Sequence, residues 1–271
     1  MVNILKLETT QTGSIKVLMD TLNSLLNDVN ITFYPNNTEK NTTGGIVIKE
    51  VNKTNSILVH CKLDADKFTI YNYSYKYDKL TIGININNFL KCIKCMNNFD
   101  TMTWLIDSDD INKLVMILES DKEKKTFRMN LMDLENVTYE IEPIENPYFI
   151  SLSSNDFHKY CKDMASTTTK LELKATPNKL VFSGEGDLGV VEFEVPITDQ
   201  GLTIDVNDNT DKLVQGLFEL KYLIIFTKCT NLCEMVSIFL KNNYPLIVEY
   251  SVPTLGDIKL VLSQSKAKEY F

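Results

Sequence analysis

The sequence predicts an α+β fold built twice: two similar domains in tandem, each with two helices packed on antiparallel sheet. Three observations predict it. An order of strand, helix, strands, helix and three strands runs once before residue 134 and again after residue 147. The strand segments alternate apolar with polar residues at period two, and they are rich in β-branched and aromatic side chains. The helical segments carry apolar residues at spacings of three and four, with lysine on another face. A chain of 271 residues, 44% of them hydrophobic, is long enough to bury two ordinary cores.

In the first half, Val2 to Leu7 reads as a strand. Gly13-Ser14 opens a helix in which Ile15, Leu18, Leu22, Leu25 and Leu26 recur at helical spacing, with Lys16 on the polar face. Asn30 to Tyr34 and Ile46 to Glu50 read as strands joined by the polar loop PNNTEKNTTGG, and Ser56 to Leu63 alternates as another. Phe68 to Tyr77 is tyrosine-rich and reads as strand, and Leu80 to Ile84 continues the sheet. Asn87 to Met96 forms a helix with Lys91 and Lys94 three apart on one face and Phe89, Leu90 and Ile93 for the core. Thr101 to Asp107, Leu114 to Glu119 and Thr126 to Met132 complete the half as strands.

The second half repeats the order. Tyr148 to Leu152 is a strand, and Asn155 to Ala165 a helix with Lys159 and Lys162 on one face. Leu171 to Ala175, Lys179 to Ser183, Val190 to Val195 and Gly201 to Val206 follow as strands. The helix ELKYLIIFTKC then places Lys221 and Lys228 seven apart, on one face of a 3.6-residue helix, with Tyr222, Ile225, Phe226 and Cys229 filling the other. Met235 to Leu240, Leu246 to Val252 and Ile258 to Leu262 close the chain as strands, with Asn242-Asn243 as a turn. The expected boundaries are residues 1–133, a connector 134–147, residues 148–263 and a tail 264–271. The connector LENVTYEIEPIENP is acidic and broken by two prolines, and its alternating Val137, Tyr139 and Ile141 would give an extended segment one sticky side.

Charge narrows the function. At a net charge of -8 the chain is no generally basic nucleic-acid binder, so a DNA-facing surface must be a local lysine cluster on an acidic body. A basic helix face on antiparallel sheet holds no catalytic group and suits a polyanion lying along it. The amino terminus has no basic stretch leading into an apolar run, and nowhere do about eighteen apolar residues occur together. A soluble intracellular chain with its six cysteines reduced is the expectation.

Several motifs are weak. Gly184 to Gly189 matches GxGxxG, yet the following VVEFEV alternates as a strand and not a helix, and no H-R-D or D-F-G accompanies it. Cys92-x-x-Cys95 and Cys229-x3-Cys233 have spacings that could share a zinc ion, but each begins inside an otherwise apolar helix, so buried thiols are the better reading. His60 and His158, the only histidines, have no partner arrangement for nucleophilic catalysis. The residues point to no enzyme, no metal and no cofactor.

The duplicated halves and the segments FLKCIKC, FRMNLMDLE, DFHKYCKDM, SGEGDLG, LKYLIIFTKCTNL and YPLIVEY resemble proliferating cell nuclear antigen, the sliding clamp family of eukaryotic and archaeal DNA replication. The resemblance covers nearly the whole chain and implies a ring of three head-to-tail subunits, with helices lining the hole. It places DNA-facing positions on Lys16, Lys91, Lys159, Lys162, Lys221 and Lys228. Other basic positions of the family fall on Val17, Asn23 and Asn88, and Lys94 is the candidate to compensate. The polar loop Asn36 to Gly45 is longer than the family's pattern. The partner groove falls on Val51, Val137, Tyr139, Ile141, Pro245, Val261 and Ser263, with Tyr139 and Val261 departing in residue type. The subunit interface falls on Phe127, Met129, Leu180 and Phe182, because Thr126 to Met132 and Lys179 to Ser183 match the family's edge strands.

The partners so implied are duplex DNA, a DNA polymerase and other replication proteins bearing the family's Qxx(I/L/M)xx(F/Y)(F/Y) peptide, a clamp loader and two further copies of the chain, with no membrane. The place of action is the nucleus, or the site of viral DNA replication for a viral source. A heterotrimeric checkpoint-type clamp, a monomeric processivity factor and, remotely, an ATP-using enzyme built on Gly184 to Gly189 are the alternatives. The tail Gln264 to Phe271 has the register of the partner peptide, with Ala267 where a larger aliphatic anchor belongs. It is either an imitation of the ligand or a short solvated end.

Overall fold

The computed structural model describes all residues except 1–2, 37–41, 96–100, 136, 138, 141–142, 199–200, 207–210 and 266–271. The chain divides into two compact units. One comprises Met1–Glu50, His60–Tyr139 and Val252–Ile258; the other comprises Val51–Val59, Glu140–Ser251 and Lys259–Phe271. They alternate along the sequence, changing over at Glu50/Val51, Val59/His60, Tyr139/Glu140, Ser251/Val252 and Ile258/Lys259.

The first half runs β1 (Asn3–Thr9), α1 (Thr12–Leu25), β2 (Asp28–Tyr34), β3 (Gly45–Val51), β4 (Ile57–Asp64), β5 (Ile70–Tyr73), β6 (Leu80–Asn85), α2 (Ile86–Ile93), β7 (Thr101–Asp107), β8 (Asp110–Glu119) and β9 (Lys124–Asn130). One sheet has the order β5-β1-β7-β8-β9, and a second run has the order β4-β3-β2-β6. The second half runs β10 (Tyr148–Ser153), α3 (Ser154–Ala165), β11 (Lys170–Thr176), β12 (Lys179–Gly186), β13 (Gly189–Pro196), β14 (Thr203–Asp205), β15 (Val214–Glu219), α4 (Leu220–Phe226), β16 (Met235–Leu240), β17 (Leu246–Val252) and β18 (Gly256–Leu262). Its strands order as β14-β10-β16-β17-β18 and β13-β12-β11-β15. Element for element, the second half repeats the first, so the duplication is complete in element order and in sheet order.

Four differences from the sequence expectation have physical causes. β15 was not foreseen, and it is the strand that completes the repeat; its Gly216 breaks the apolar signal, because a side chain there would run into the Phe218 ring. Strand in the tyrosine-rich stretch ends at Tyr73, where the Tyr73 hydroxyl donates to the Tyr77 carbonyl at 2.7 Å and folds the chain back. The helix after β15 is α-helical only to Phe226. The chain then tightens into a 3-10 turn, Thr227–Leu232, as the Thr227 hydroxyl donates to the Ile224 carbonyl at 2.8 Å.

The fourth concerns the edge. Lys179–Gly186 is not an edge strand, because β12 is paired on one side with β11 and on the other with β13. The edges of that sheet are β13 and β15.

The cores follow the expected periodicities. Ile15, Leu18, Met19 and Leu22 of α1 are buried, as are Ile86, Phe89, Leu90 and Ile93 of α2, with Phe89 packed edge-on against Trp104 at 5.2 Å. In the second unit Phe157, Cys161 and Met164 of α3 and Leu220, Leu223 and Phe226 of α4 are buried, and Phe226 packs on Tyr250. Tyr222 and Ile225 are only half-buried, and Leu223 takes the core position expected of them. Among the described residues no helix is long and apolar enough to cross a membrane.

Candidate nucleic-acid interface

In each unit two helices lie against each other, α1 with α2 and α3 with α4. Side-chain caps fix where α2 and α3 start. The Asn85 side chain accepts the Asn88 N–H at 3.0 Å to begin α2, and Ser153 accepts the Asp156 N–H at 3.4 Å to begin α3. The start of α3 is also tied to the chain after α4. Ser154 Oγ donates to the Cys233 carbonyl at 2.6 Å, Thr230 Oγ1 donates to the Ser154 carbonyl at 3.3 Å, and His158 Nδ1 lies 2.9 Å from Thr227 Oγ1.

These helices present the lysines. Lys91 and Lys94 are exposed at the end of α2, Lys94 being its C-cap; Lys159 and Lys162 are exposed on α3. Lys221 is exposed on α4, with its ammonium 3.8 Å from Glu219 Oε2 and 4.7 Å from the Tyr222 ring centre. Lys228 is exposed too, but on the 3-10 turn rather than on α4, so the seven-residue spacing places it only approximately. Lys16 is half-buried on α1. Within the second unit, then, Lys159, Lys162, Lys221 and Lys228 stand on three mutually packed elements, α3, α4 and the 3-10 turn, of a chain whose net charge is -8.

The residues set aside as chemistry have structural roles. The GxGxxG stretch is the β12–β13 hairpin: a side chain on Gly186 would run into the Thr167 carbonyl, and Gly189 takes a φ of 106°. Thr168 Oγ1, 2.9 Å from the Lys170 carbonyl and 3.0 Å from the Glu185 carbonyl, ties the hairpin to the turn after α3. Glycine here permits close packing of backbone on backbone. Cys161 and Cys229 are buried, and burial pushes the Cys92 thiol up while its sulfur lies 3.7 Å from Met129 Sδ. Among the described residues no group of three or more His, Cys, Asp or Glu could hold a metal ion.

Family comparison places the chain. Residues 4–139 match the N-terminal domain of proliferating cell nuclear antigen, and residues 140–265 match its C-terminal domain. The chain belongs to the proliferating cell nuclear antigen family. That is a family of DNA polymerase sliding clamps. Two curated relatives are viral. A probable DNA polymerase sliding clamp of Acanthamoeba polyphaga mimivirus is 26% identical over 292 residues, covering 96% of this chain and 62% of the relative. Probable DNA polymerase sliding clamp 1 of Paramecium bursaria Chlorella virus 1 is 28% identical over 263 residues, covering 95% of each. The chain thus spans less than two thirds of the mimivirus relative and nearly all of the other.

The other family-implied positions fall variously. Val51, Tyr139, Pro245 and Val261 are half-buried, Val137 is 47% exposed, Ser263 is exposed, and Ile141 lies outside the described residues. The connector is held at both ends, where Asn30 Nδ2 donates to the Glu135 carbonyl at 3.1 Å and Lys241 Nζ to the Glu145 carbonyl at 2.9 Å. Phe127 and Met129 are half-buried on β9. Leu180 and Phe182 are wholly buried on β12, inside their own core, so neither presents a surface for a second subunit. In the tail, Gln264 Nε2 donates to the Tyr244 carbonyl at 2.9 Å and Ser265 N–H to the Leu217 carbonyl at 2.7 Å. That occupies the glutamine amide of the peptide-like stretch; Ala267, Tyr270 and Phe271 lie outside the described residues.

Two features of the interface were missed in the sequence. One is β13 as the edge, for which the exposed glutamates of VVEFEV were the available signal. The other is the hydrogen bond between His158 and Thr227, since no sequence pattern joins the two.

Proposed function

We propose that this chain is one subunit of a homotrimeric DNA sliding clamp that encircles duplex DNA without choosing sequence and tethers a polymerase and other replication proteins to it. The observation that carries the reading is the family match across residues 4–265, together with exposed lysines on the helices of an acidic chain. Ammonium groups on flexible stems bind phosphates almost equally at every register, so affinity does not oppose sliding. The acidic remainder discourages DNA from binding elsewhere. Lys16, Lys91, Lys94, Lys159, Lys162, Lys221 and Lys228 are the DNA-facing set. No residue is assigned to bond making or breaking.

Ring closure uses the open edges. β9 and β13 each stand at the end of a sheet order. Pairing β9 of one subunit with β13 of the next leaves neither edge open. Charge favours it. β9 exposes Lys124 and Arg128, and β13 exposes Glu192 and Glu194. Arg128 is the only arginine of the chain, and neither it nor Glu192 has an ion-pair partner among the described residues. Phe127 and Met129 remain interface positions on β9, whereas on the second unit the contact passes from Leu180 and Phe182 to β13.

Partner peptides are assigned to a groove formed by Val51, Val137, Tyr139, Ile141, Pro245, Val261 and Ser263, and a clamp loader opens the ring. The viral relatives favour a site of viral DNA replication over the nucleus. Topology tests the reading. Protein bound to a nicked circular duplex should survive a high-salt wash and be lost when the circle is cut once; equal loss from circle and linear duplex would contradict encirclement.

A further inference from the structure

His158 is the histidine of the lysine-bearing surface. It sits on α3 beside Lys159 and one turn before Lys162, half-buried, with Nδ1 2.9 Å from Thr227 Oγ1. Thr227 is 1% exposed, and its hydroxyl donates to the Ile224 carbonyl at 2.8 Å. A hydroxyl has one hydrogen, so with that hydrogen on Ile224 the Thr227 oxygen can only accept from the imidazole. Nδ1 therefore carries the ring hydrogen, and Nε2 is left with a lone pair. No other hydrogen bond or ion pair of His158 occurs among the described residues. Protonation at Nε2 adds a charge and leaves the bond to Thr227 intact.

We propose that His158 is a further DNA-contacting residue of this chain, a phosphate ligand that takes up a proton at Nε2 when duplex lies over α3. This rests on the sliding-clamp reading. The lysines bring the phosphate, and its negative charge favours the imidazolium over the neutral ring. On α3 itself the charges nearest in sequence are Asp156, Lys159 and Lys162; α4 brings Lys221 and the 3-10 turn Lys228. β10 and β16 bring no acid, lysine or arginine. On β12, Lys179 is paired with Glu194, and Glu185 lies at the hairpin end beside Thr168. DNA binding should thus couple to proton uptake and strengthen as pH falls. A purely structural tie between α3 and the turn would leave affinity without that coupling.

Fluorescence anisotropy with a short labelled duplex, at pH 6 and pH 8 and from 50 to 200 mM salt, tests it on the full chain. One added phosphate contact steepens the salt dependence by about 0.9, which is roughly 3.5-fold more affinity lost over that range. The parent should show this steeper slope and tighter binding at pH 6 than at pH 8, and His158→Gln should show the same slope at both. His158→Asn, checked for unchanged mass and circular dichroism, guards against a misfolded variant. Identical pH profiles for parent and variants overturn the proposal alone, provided Lys159→Gln still weakens binding. Absence of lysine-dependent binding by the parent at either pH overturns the clamp reading with it.

Discussion

Replacing Lys159, Lys162, Lys221 and Lys228 together by glutamate removes four ammonium groups from the exposed side of α3, α4 and the turn that follows. If each meets one phosphate, the salt dependence of duplex binding should flatten by about 3.6, at roughly 0.9 per contact. Between 50 and 200 mM salt the parent should then lose about 150-fold more affinity than the variant loses, and at low salt the variant should bind far more weakly. The fold should survive. All four side chains are exposed, and the ion pair of Lys221 with Glu219, at 3.8 Å, joins partly exposed groups worth at most about 1 kcal/mol. Anisotropy titrations at four salt concentrations give the slope, and light scattering shows whether the assembly is unchanged. A quadruple glutamine variant separates loss of contact from repulsion. A variant with the parent's salt slope would refute the reasoning, because these lysines would then not face phosphate.

The other predictions concern edges, groove and hairpin. Arg128→Glu should weaken the assembly, and adding Glu192→Arg should restore it, read by sedimentation velocity; no rescue would mean that β9 and β13 do not meet. Val137→Asp should weaken binding of a Qxx(I/L/M)xx(F/Y)(F/Y) peptide at least tenfold by calorimetry while leaving the melting temperature within a few degrees, since Val137 is 47% exposed. Unchanged affinity would move the groove elsewhere. Gly186→Ala should destabilise the second unit by about 1–3 kcal/mol in urea titrations, because its methyl group meets the Thr167 carbonyl. An unchanged midpoint would show that the hairpin stands off from that turn.

Much of this was readable in the sequence where local pattern decides structure. Thr101–Asp107, Met235–Leu240 and Leu246–Val252 have the bounds that their apolar alternation gives, since a period-two pattern on a half-buried strand has few competing solutions. The lysines of α2 and α3 are exposed for the same reason, as Lys91, Lys94, Lys159 and Lys162 each follow a core residue, Leu90, Ile93, Phe157 or Cys161, by one or two positions and so turn to another face of the helix. What failed depends on distant partners. Lys179 to Ser183 reads as a strand, but whether it is an edge is decided by pairing with Gly189–Pro196 on one side and Lys170–Thr176 on the other. Lys228 was placed by extrapolating an α-helix past Phe226, where a threonine hydroxyl returns to the backbone and the turn tightens. The tie between His158 and Thr227 spans sixty-nine residues and has no local signature.

The central claim, a ring of three chains closed by β9 and β13, is tested most directly by the mass of the protein in solution at micromolar concentration. Light scattering should give about 93 kDa, three times the 31.0 kDa of one chain. A mass near 31 kDa, unchanged on raising the concentration, would contradict the ring.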